Sequence, residues 1–198
     1  MLSFTFKSLF LALLLFFSGC TSTVQYGDPN AIETVNTQFG STDLQQIAAK
    51  MVGSLLTFPP VQEMTAKQRP VLFVDKIRNK TVEHIDTESV TDTIVNKLLR
   101  SGKFQFVDKP TRDAIQDELA YQHDGGMVDA NTAAPKMRQI GAQYMIHGNL
   151  SSITKGNKGT RDVYYKFTLK LINLKTGILT WQDEKEIRKN IRRSIFGM

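Results

Sequence analysis

The 198-residue chain lacks the residues and motifs on which most enzyme classes depend. It has one cysteine and three histidines, and none of His84, His123 and His147 has a second metal ligand at the spacing of known metal sites. It contains neither of the glycine-rich phosphate-binding motifs, and no segment typical of a nucleophilic serine. We therefore expect a protein without catalytic residues that needs no metal or cofactor.

Long apolar runs and clustered charge are also missing. The longest apolar run, Leu9 to Phe17, is too short to span a bilayer, which takes about 20 residues. The formal net charge is +6, but the basic residues are dispersed and form no stripe typical of a nucleic-acid-binding protein. A modest positive excess favours anionic partners, such as a cell-wall polymer or an acidic protein surface.

The amino terminus carries a targeting signal. Lys7 precedes the apolar run, and the small residues Ser18 and Gly19 stand before the single cysteine, Cys20. Residues 17–20 resemble the lipobox of bacterial lipoproteins, although Phe17 occupies a position where leucine is usual. We expect residues 1–19 to be a signal peptide and Cys20 to be lipidated. An ordinary secretory signal with an incidental cysteine is the alternative.

Beyond the signal, composition divides the chain into three segments. Residues 20–42 are polar, without periodicity, and are predicted to be a flexible tether that follows the lipidated cysteine. Residues 43–188 contain periodic apolar segments and are predicted to be one folded domain. Residues 189–198 form a basic tail. The segment Lys185 to Met198 places isoleucines at a spacing of four, so it predicts either a basic amphipathic helix or a solvated end that frays.

The periodicities predict an α/β fold with a mixed sheet of about four to five strands flanked by helices. Helical spacing predicts a first helix over 43–57, a second that Thr87 caps and Gly102 ends, a third that Asp108 caps, and a short one over 132–140. Strands are predicted over 70–78, 104–107, 144–153, 163–171 and 178–184, the last three as an antiparallel meander. Pro59 and Pro60 predict a loop over 58–69.

The segment Val71 to Thr87 is the best candidate for a functional surface. Its apolar first half predicts a buried strand, and its polar second half, Arg78 to Asp86, is expected to run over the surface before the second helix. Seven residues are candidates for partner contact: Arg78, Asn79, Lys80, Thr81, Glu83, His84 and Asp86. The alternative is that Asn79 and Thr81 hold a turn through side-chain hydrogen bonds, while Arg78 and Lys80 are merely solvated.

The same segment carries a family resemblance. Residues 77–81 and 83–87 look like the most characteristic stretch of the LpoB-type lipoproteins, which activate penicillin-binding proteins. Further similar segments are Ser101 to Phe104, Ile140 to Tyr144, Tyr164 to Lys166, and Thr176-Gly177 before Trp181. The domain also resembles the amino-terminal domain of TolB, a mixed sheet with flanking helices.

The resemblance implies a lipoprotein anchored in the outer membrane through acylated Cys20, whose periplasmic domain binds and activates a bifunctional penicillin-binding protein. Peptidoglycan itself is a further candidate partner. Well-known members of the family have a long proline-rich linker, whereas this chain has only about 22 polar residues after Cys20. A structural or export-associated envelope lipoprotein, similar to a curli-secretion subunit, is the alternative function.

Overall fold

The computed structural model describes residues 25–33, 36–108, 111–135, 139–157 and 159–192. The predicted signal peptide and the lipidation site Cys20 lie outside these ranges. The chain divides between Ala31 and Ile32 into two units. The described residues of the first unit, 25–31, form a turn in which the Asp28 carboxylate accepts the N–H of Asn30. No helix in the described ranges is long and apolar enough to cross a membrane.

Four helices and six strands form the described part of the second unit. The helices are α1 (Ser41–Thr57), α2 (Pro59–Lys67), α3 (Thr87–Arg100) and α4 (Arg112–Asp124). The strands are β1 (Val71–Val74), β2 (Arg78–Lys80), β3 (Gln105–Phe106), β4 (Tyr144–Asn157), β5 (Thr160–Asn173) and β6 (Leu179–Arg192).

The strands form one mixed sheet in the order β3-β1-β4-β5-β6, and β2 also pairs with β4. β1 and β2 both lie parallel to β4, at successive positions along it, whereas β4, β5 and β6 form an antiparallel meander. The predicted α/β class, mixed sheet and C-terminal meander are confirmed. The sheet has six strands rather than four or five because the predicted strand 70–78 is interrupted at residues 75–77.

One face of the sheet packs against helices and the other stays open. On β5 the odd-numbered side chains are buried, from Val163 to Leu171, while the alternate ones are partly exposed, as the pleat of a strand requires. The buried side chains form one core with apolar residues of α1 and α3, among them Met51 and Ile94. Gly148 of β4 lies in this core, where an added Cβ would come within 2.6 Å of the carbonyl oxygen of Thr168.

The predicted loop over 58–69 is wrong, because residues 59–67 form α2. Its two prolines occupy the first helical positions after Phe58, where the N–H groups have no intrahelical acceptor and proline costs nothing. Val61 anchors the helix and is fully buried. The prolines therefore end α1 and begin α2, instead of preventing helix formation.

Three predictions near the helix ends are also wrong. The second helix is capped by Asp86, not Thr87. Asp108 does not cap the third helix, which begins at Arg112; the Asp108 carboxylate accepts the Thr111 hydroxyl instead. Residues 132–135 and 139–140 are not helical, so the described part of the predicted helix 132–140 is a turn followed by irregular structure. Pro110 and residues 136–138 fall outside the described ranges.

Up to Arg192 the chain end is neither the predicted amphipathic helix nor the predicted solvated end that frays, and residues 193–198 lie outside the described ranges. Residues 185–192 continue β6, which pairs with β5 up to Arg192. A spacing of four residues fits the twofold period of a strand as well as a helical turn, so the isoleucine pattern did not distinguish the two. Lys185, Ile187 and Lys189 are partly buried, whereas the residues between them are exposed.

Residues 36–40 pack on the folded unit, although they fall within the predicted tether 20–42. Thr37 is 6% exposed, and Phe39 packs against the core. The Phe39 ring contacts the Tyr165 ring edge-on, with centroids 5.8 Å apart. We call residues 36–40 the strap.

Candidate partner-binding surface

The short strand β2 places the predicted contact residues on the edge of the sheet. The Asp75 N–H donates to the carbonyl oxygen of Ile146, and buried Ile77 then holds the chain against the core. β2 pairs with Asn149 to Ser151 of β4, so Arg78 lies beside Asn149 and Lys80 beside Ser151. Paired residues of neighbouring strands point to the same face of the sheet. Asn79 pairs with Leu150, which is fully buried, so Arg78 and Lys80 on either side of Asn79 point to the open face.

A turn over residues 79–83 follows β2 and is closed by side chains. The Asn79 amide donates to the carbonyl oxygen of Glu83 at 2.8 Å and accepts the N–H and the hydroxyl of Thr81. The Thr81 hydroxyl in turn accepts the N–H of Glu83. Asn79 and Thr81 thus hold the turn, as one of the two sequence interpretations expected. The tip residue Val82 is 89% exposed.

The side chain of Glu83 points inward. Its side chain is 14% exposed, and its two oxygens accept the Tyr165 hydroxyl at 2.7 Å and the Phe39 N–H at 3.1 Å. Arg161 lies 3.8 Å away. Burial, together with the hydrogen bond to the Glu83 carboxylate, raises the pKa of Tyr165 far above its ordinary value, so this hydroxyl stays protonated. Glu83 was predicted as a contact residue, and the structure places it in the interior support of the turn.

Asp86 and Thr87 join the loop to α3. The Asp86 carboxylate accepts the N–H groups of Glu88 and Ser89 and the Ser89 hydroxyl, at 2.6 Å for the last. The Thr87 hydroxyl donates to the carbonyl oxygen of Ile77 and is buried. Asp86 rather than Thr87 therefore starts the helix. The Ser89 hydroxyl and then the Glu88 N–H hold the pKa of Asp86 below its ordinary value of 3.8.

Replacing Asp86 by asparagine should make stability less sensitive to acid. A carboxylate whose pKa is lower in the folded state stabilises the fold at pH values above its pKa in the unfolded chain. This contribution is lost as the pH falls through the pKa of the folded state. Asparagine also caps helices but does not titrate. Between about pH 5 and pH 3, the free energy of unfolding measured in urea should fall less steeply for Asp86→Asn than for the wild type. Asp117→Asn on α4 is the control, and identical slopes in all three proteins would contradict the prediction.

Between β2 and the start of α3 lies an open groove of about 850 Å³, lined by residues 75–80 and 84–88. Lys76, Arg78, Lys80 and His84 are all exposed. In the described part of the chain, none of these four side chains has a carboxylate within ion-pair distance, whereas the Asp86 carboxylate at the groove is engaged as a helix cap. The groove therefore presents three permanent cations, Lys76 just before β2 and Arg78 and Lys80 within it.

Elsewhere on the open face, two cations of β5 and β6 form ion pairs within the protein. Lys166 lies 2.7 Å from Glu184, and Arg188 forms a bidentate contact with Asp162. These contacts raise the pKa of Lys166 and lower that of Asp162. Lys166 and Arg188 are thus neutralised by the protein itself, in contrast to Arg78 and Lys80 of β2.

The three histidines form no metal site in the described part of the chain, where no group of three potential ligands occurs. Nδ1 of His147 lies 3.3 Å from an Asp75 oxygen, but at an angle that makes no hydrogen bond, so this buried nitrogen lacks a hydrogen-bond partner. His123 contacts the carbonyl oxygen of Ala134. Only His84 belongs to the groove.

The seven predicted contact residues therefore separate into two sets. Arg78, Lys80 and His84 are exposed at the groove. Asn79, Thr81, Glu83 and Asp86 are occupied by hydrogen bonds that shape it. Lys76 and Val82 are exposed beside them but were not predicted. The alternation of Lys76, Arg78 and Lys80 with Ile77 and Asn79 was the sequence signal that could have identified Lys76.

The model of a protein family described as "Peptidoglycan-synthase activator LpoB" matches residues 43–187. Curated relatives named "Penicillin-binding protein activator LpoB" include one from Enterobacter sp. (strain 638), 28% identical over 134 residues, which are 68% of this chain and 56% of the relative. The relative from Dickeya dadantii (strain 3937) is 22% identical over 119 residues, 60% of this chain and 57% of the relative. The chain thus spans a little over half the length of these relatives.

Solved structures that are similar to the chain include two LpoB C-terminal domains. The LpoB C-terminal domain from Escherichia coli is 23% identical with a TM-score of 0.45, and the alignment covers 73% of this chain and 98% of that one. The corresponding domain from Salmonella enterica is 20% identical with a TM-score of 0.43, at the same coverage.

Proposed function

The chain belongs to the LpoB family of peptidoglycan-synthase activators, and we propose that it binds and activates a bifunctional peptidoglycan synthase, a penicillin-binding protein. It acts as a regulatory binding protein and carries out no chemistry of its own. Activation requires that it bind the active conformation of the synthase more tightly than the inactive one. In this way it stimulates glycan polymerisation and regulates cell-wall synthesis.

The observation that carries the proposal is the groove with its unneutralised cations. Arg78 and Lys80 lie on a strand that is hydrogen-bonded into the sheet, so their backbone positions are set before a partner binds. The turn beside them is closed by side-chain hydrogen bonds. A preorganised surface loses less conformational entropy on binding than a disordered loop. We propose that Arg78, Lys80 and His84 contact the synthase, with Lys76 and Val82 at the edge of the contact.

The same cations specify the chemistry of the partner surface. Because the protein does not neutralise them internally, they favour a synthase surface that carries carboxylates at matching positions. Exposed charges of this kind raise the association rate and give specificity more than they give affinity. Binding should therefore weaken as the salt concentration rises.

We further propose that the domain is held at the periplasmic side of the outer membrane by lipid on Cys20. Residues 1–19 would be removed, and two or more acyl chains would be needed for stable anchoring. The support is the lipobox-like sequence before Cys20 and the family membership. Mass spectrometry of the protein from isolated membranes should find acyl mass on Cys20, and an unmodified thiol would overturn this part of the proposal.

Glycan polymerisation by the bifunctional synthases of the same organism tests the function directly. Each synthase is assayed alone and with the chain lacking residues 1–20, and binding is measured in parallel. We expect one synthase to bind the chain and to polymerise faster with it. If no synthase binds or responds, the proposed function is wrong. Binding of the chain to purified peptidoglycan in the same series tests the polymer as a second partner.

A further inference from the structure

Glu83 connects the strap to the turn beside the groove. Its main chain closes the turn, since its carbonyl oxygen accepts the Asn79 amide and its N–H donates to the Thr81 hydroxyl. Its side chain holds the strap, since Oε2 accepts the N–H of Phe39. One residue thus belongs to both hydrogen-bond networks.

Tyr165 reinforces this connection from the core side of the sheet. Its hydroxyl lies 2.7 Å from Oε1 of Glu83 and 3.2 Å from the carbonyl oxygen of Thr37. A phenol has a single proton to donate, so the closer, charged oxygen of Glu83 receives most of it. The Tyr165 ring, 1% exposed, is covered by the Phe39 ring of the strap. The docked strap thus covers Tyr165, the hydrogen-bond partner of the Glu83 carboxylate, and the Glu83 side chain is only 14% exposed.

The strap has a second attachment at its other side. The Lys189 ammonium donates to the carbonyl oxygen of Gln38 at 2.7 Å and to the Asp43 carboxylate at 2.6 Å. Asp43 also accepts the N–H of Gly40. These bonds fasten the strap between β6 and the first turn of α1. The strap precedes the family match, which begins at residue 43.

We propose that the strap is a conformational clamp for the groove: docked, it holds the turn over residues 79–83 in the form that presents Arg78 and Lys80, and undocked, it releases that turn. If the strap leaves, Glu83 loses the Phe39 N–H and the apolar cover of Tyr165, and its carboxylate becomes hydrated. The main chain of the turn is then less firmly held. By linkage, loosening the turn must weaken strap docking by the same factor.

Through the clamp, a force that acts on the chain before residue 36 would also affect the groove. Once the bonds of Glu33 to Ser41 and Thr42 are also broken, releasing the five residues of the strap would lengthen the segment ahead of α1 by roughly 17 Å at full extension. The domain would gain reach and lose the order of its groove at the same time. This consequence for partner binding rests on the proposed function, whereas the coupling between strap and turn does not.

Amide hydrogen exchange of the full chain tests the coupling without any partner. Phe39→Ala acts from the strap side and leaves every turn residue in place. We expect exchange at the Thr81 and Glu83 amides to become about fivefold faster, the factor for loss of one ordinary hydrogen bond. Asn79→Ala acts from the turn side and should accelerate exchange at the Phe39 amide by a similar factor.

Phe58→Ala is the matched control, because Phe58 also packs partly buried against the core but lies before α2. It should leave the exchange ratio between the turn and the core strands unchanged. The proposal is overturned if Phe39→Ala accelerates exchange in the strap alone, if Asn79→Ala leaves the Phe39 amide unchanged, or if Phe58→Ala loosens the turn equally. Should Phe39→Ala unfold the domain, Phe39→Leu provides the same comparison with a smaller loss of packing.

The exchange result and the proposed function can fail separately. A chain that binds no synthase but shows reciprocal exchange effects has the clamp without the proposed partner. If the chain binds a synthase but the two variants show no reciprocal exchange effects, the proposed function holds and the clamp is wrong.

Discussion

Replacing Lys189 by methionine is expected to lower the free energy of unfolding by about 3 kcal/mol, because it leaves a buried carboxylate without its cation. The Lys189 ammonium lies 2.6 Å from the Asp43 carboxylate, and the Asp43 side chain is 2% exposed. Methionine keeps most of the aliphatic part of the lysine side chain. The decrease in the free energy of unfolding therefore comes from the missing charge rather than from lost packing. The variant also loses the bond to Gln38, so the strap should detach first. Urea unfolding measures the change.

Lys50→Met is the control, because it breaks an ion pair of similar length in a wetter place. Lys50 lies 2.8 Å from Asp183, with the two side chains 48% and 24% exposed, and such a pair contributes only about 0.5 kcal/mol. The double variant Asp43→Asn/Lys189→Met should regain much of the loss, since an amide oxygen can accept the Gly40 N–H without a buried charge. Equal losses for Lys189→Met and Lys50→Met would show that burial does not decide the strength of this pair.

Reversing both groove cations, Arg78→Glu/Lys80→Glu, should weaken binding to the synthase by about 30-fold. Each reversal removes one attraction and adds one repulsion of similar size, so two together cost about 2 kcal/mol at exposed sites. Stimulation of polymerisation at limiting concentrations should fall in parallel. Because both side chains are exposed, the variant should unfold at nearly the same urea concentration as the wild type.

The matched control for this experiment is Lys103→Glu/Lys175→Glu. It changes the net charge equally, at exposed turn positions outside the groove, and should bind almost as tightly as the wild type. Raising the salt concentration should weaken the wild type more than the groove variant. Equal binding by both double variants would show that the groove is not the contact surface. A wild type that binds no synthase would reject the function itself.

Local patterns in the sequence were sufficient for three of the four described helices and for the strands of the meander. The alternation along β5 from Val163 to Leu171 predicted a strand with one buried face, and Gly177, with a φ of 72°, ends the predicted hairpin. These features depend on neighbours within a few residues, so they can be read without the fold. The wrong predictions arose where a local signal has two meanings, as with the prolines of α2 and the isoleucine spacing of β6.

The sequence indicated where the chain forms a polar surface loop, but the roles of the residues in this loop could not be assigned from it. A polar loop with both charge signs indicated a surface, and it does line the groove. Glu83 and Arg78 looked equally available there. The difference between them is the set of groups that reach each side chain, and for Glu83 one of these comes from Tyr165, 82 positions away.

The sequence by itself determined the α/β class, the antiparallel meander, the resemblance to LpoB-type activators and the position of the polar loop. Each follows from apolar periodicity or from residues adjacent along the chain. Only the tertiary structure decided that the strap is part of the folded unit and that Glu83 supports the turn. It also decided which cations stay without a carboxylate. A polar group becomes structural when distant segments bring it a hydrogen-bond partner and exclude water, and that depends on how the chain packs in three dimensions.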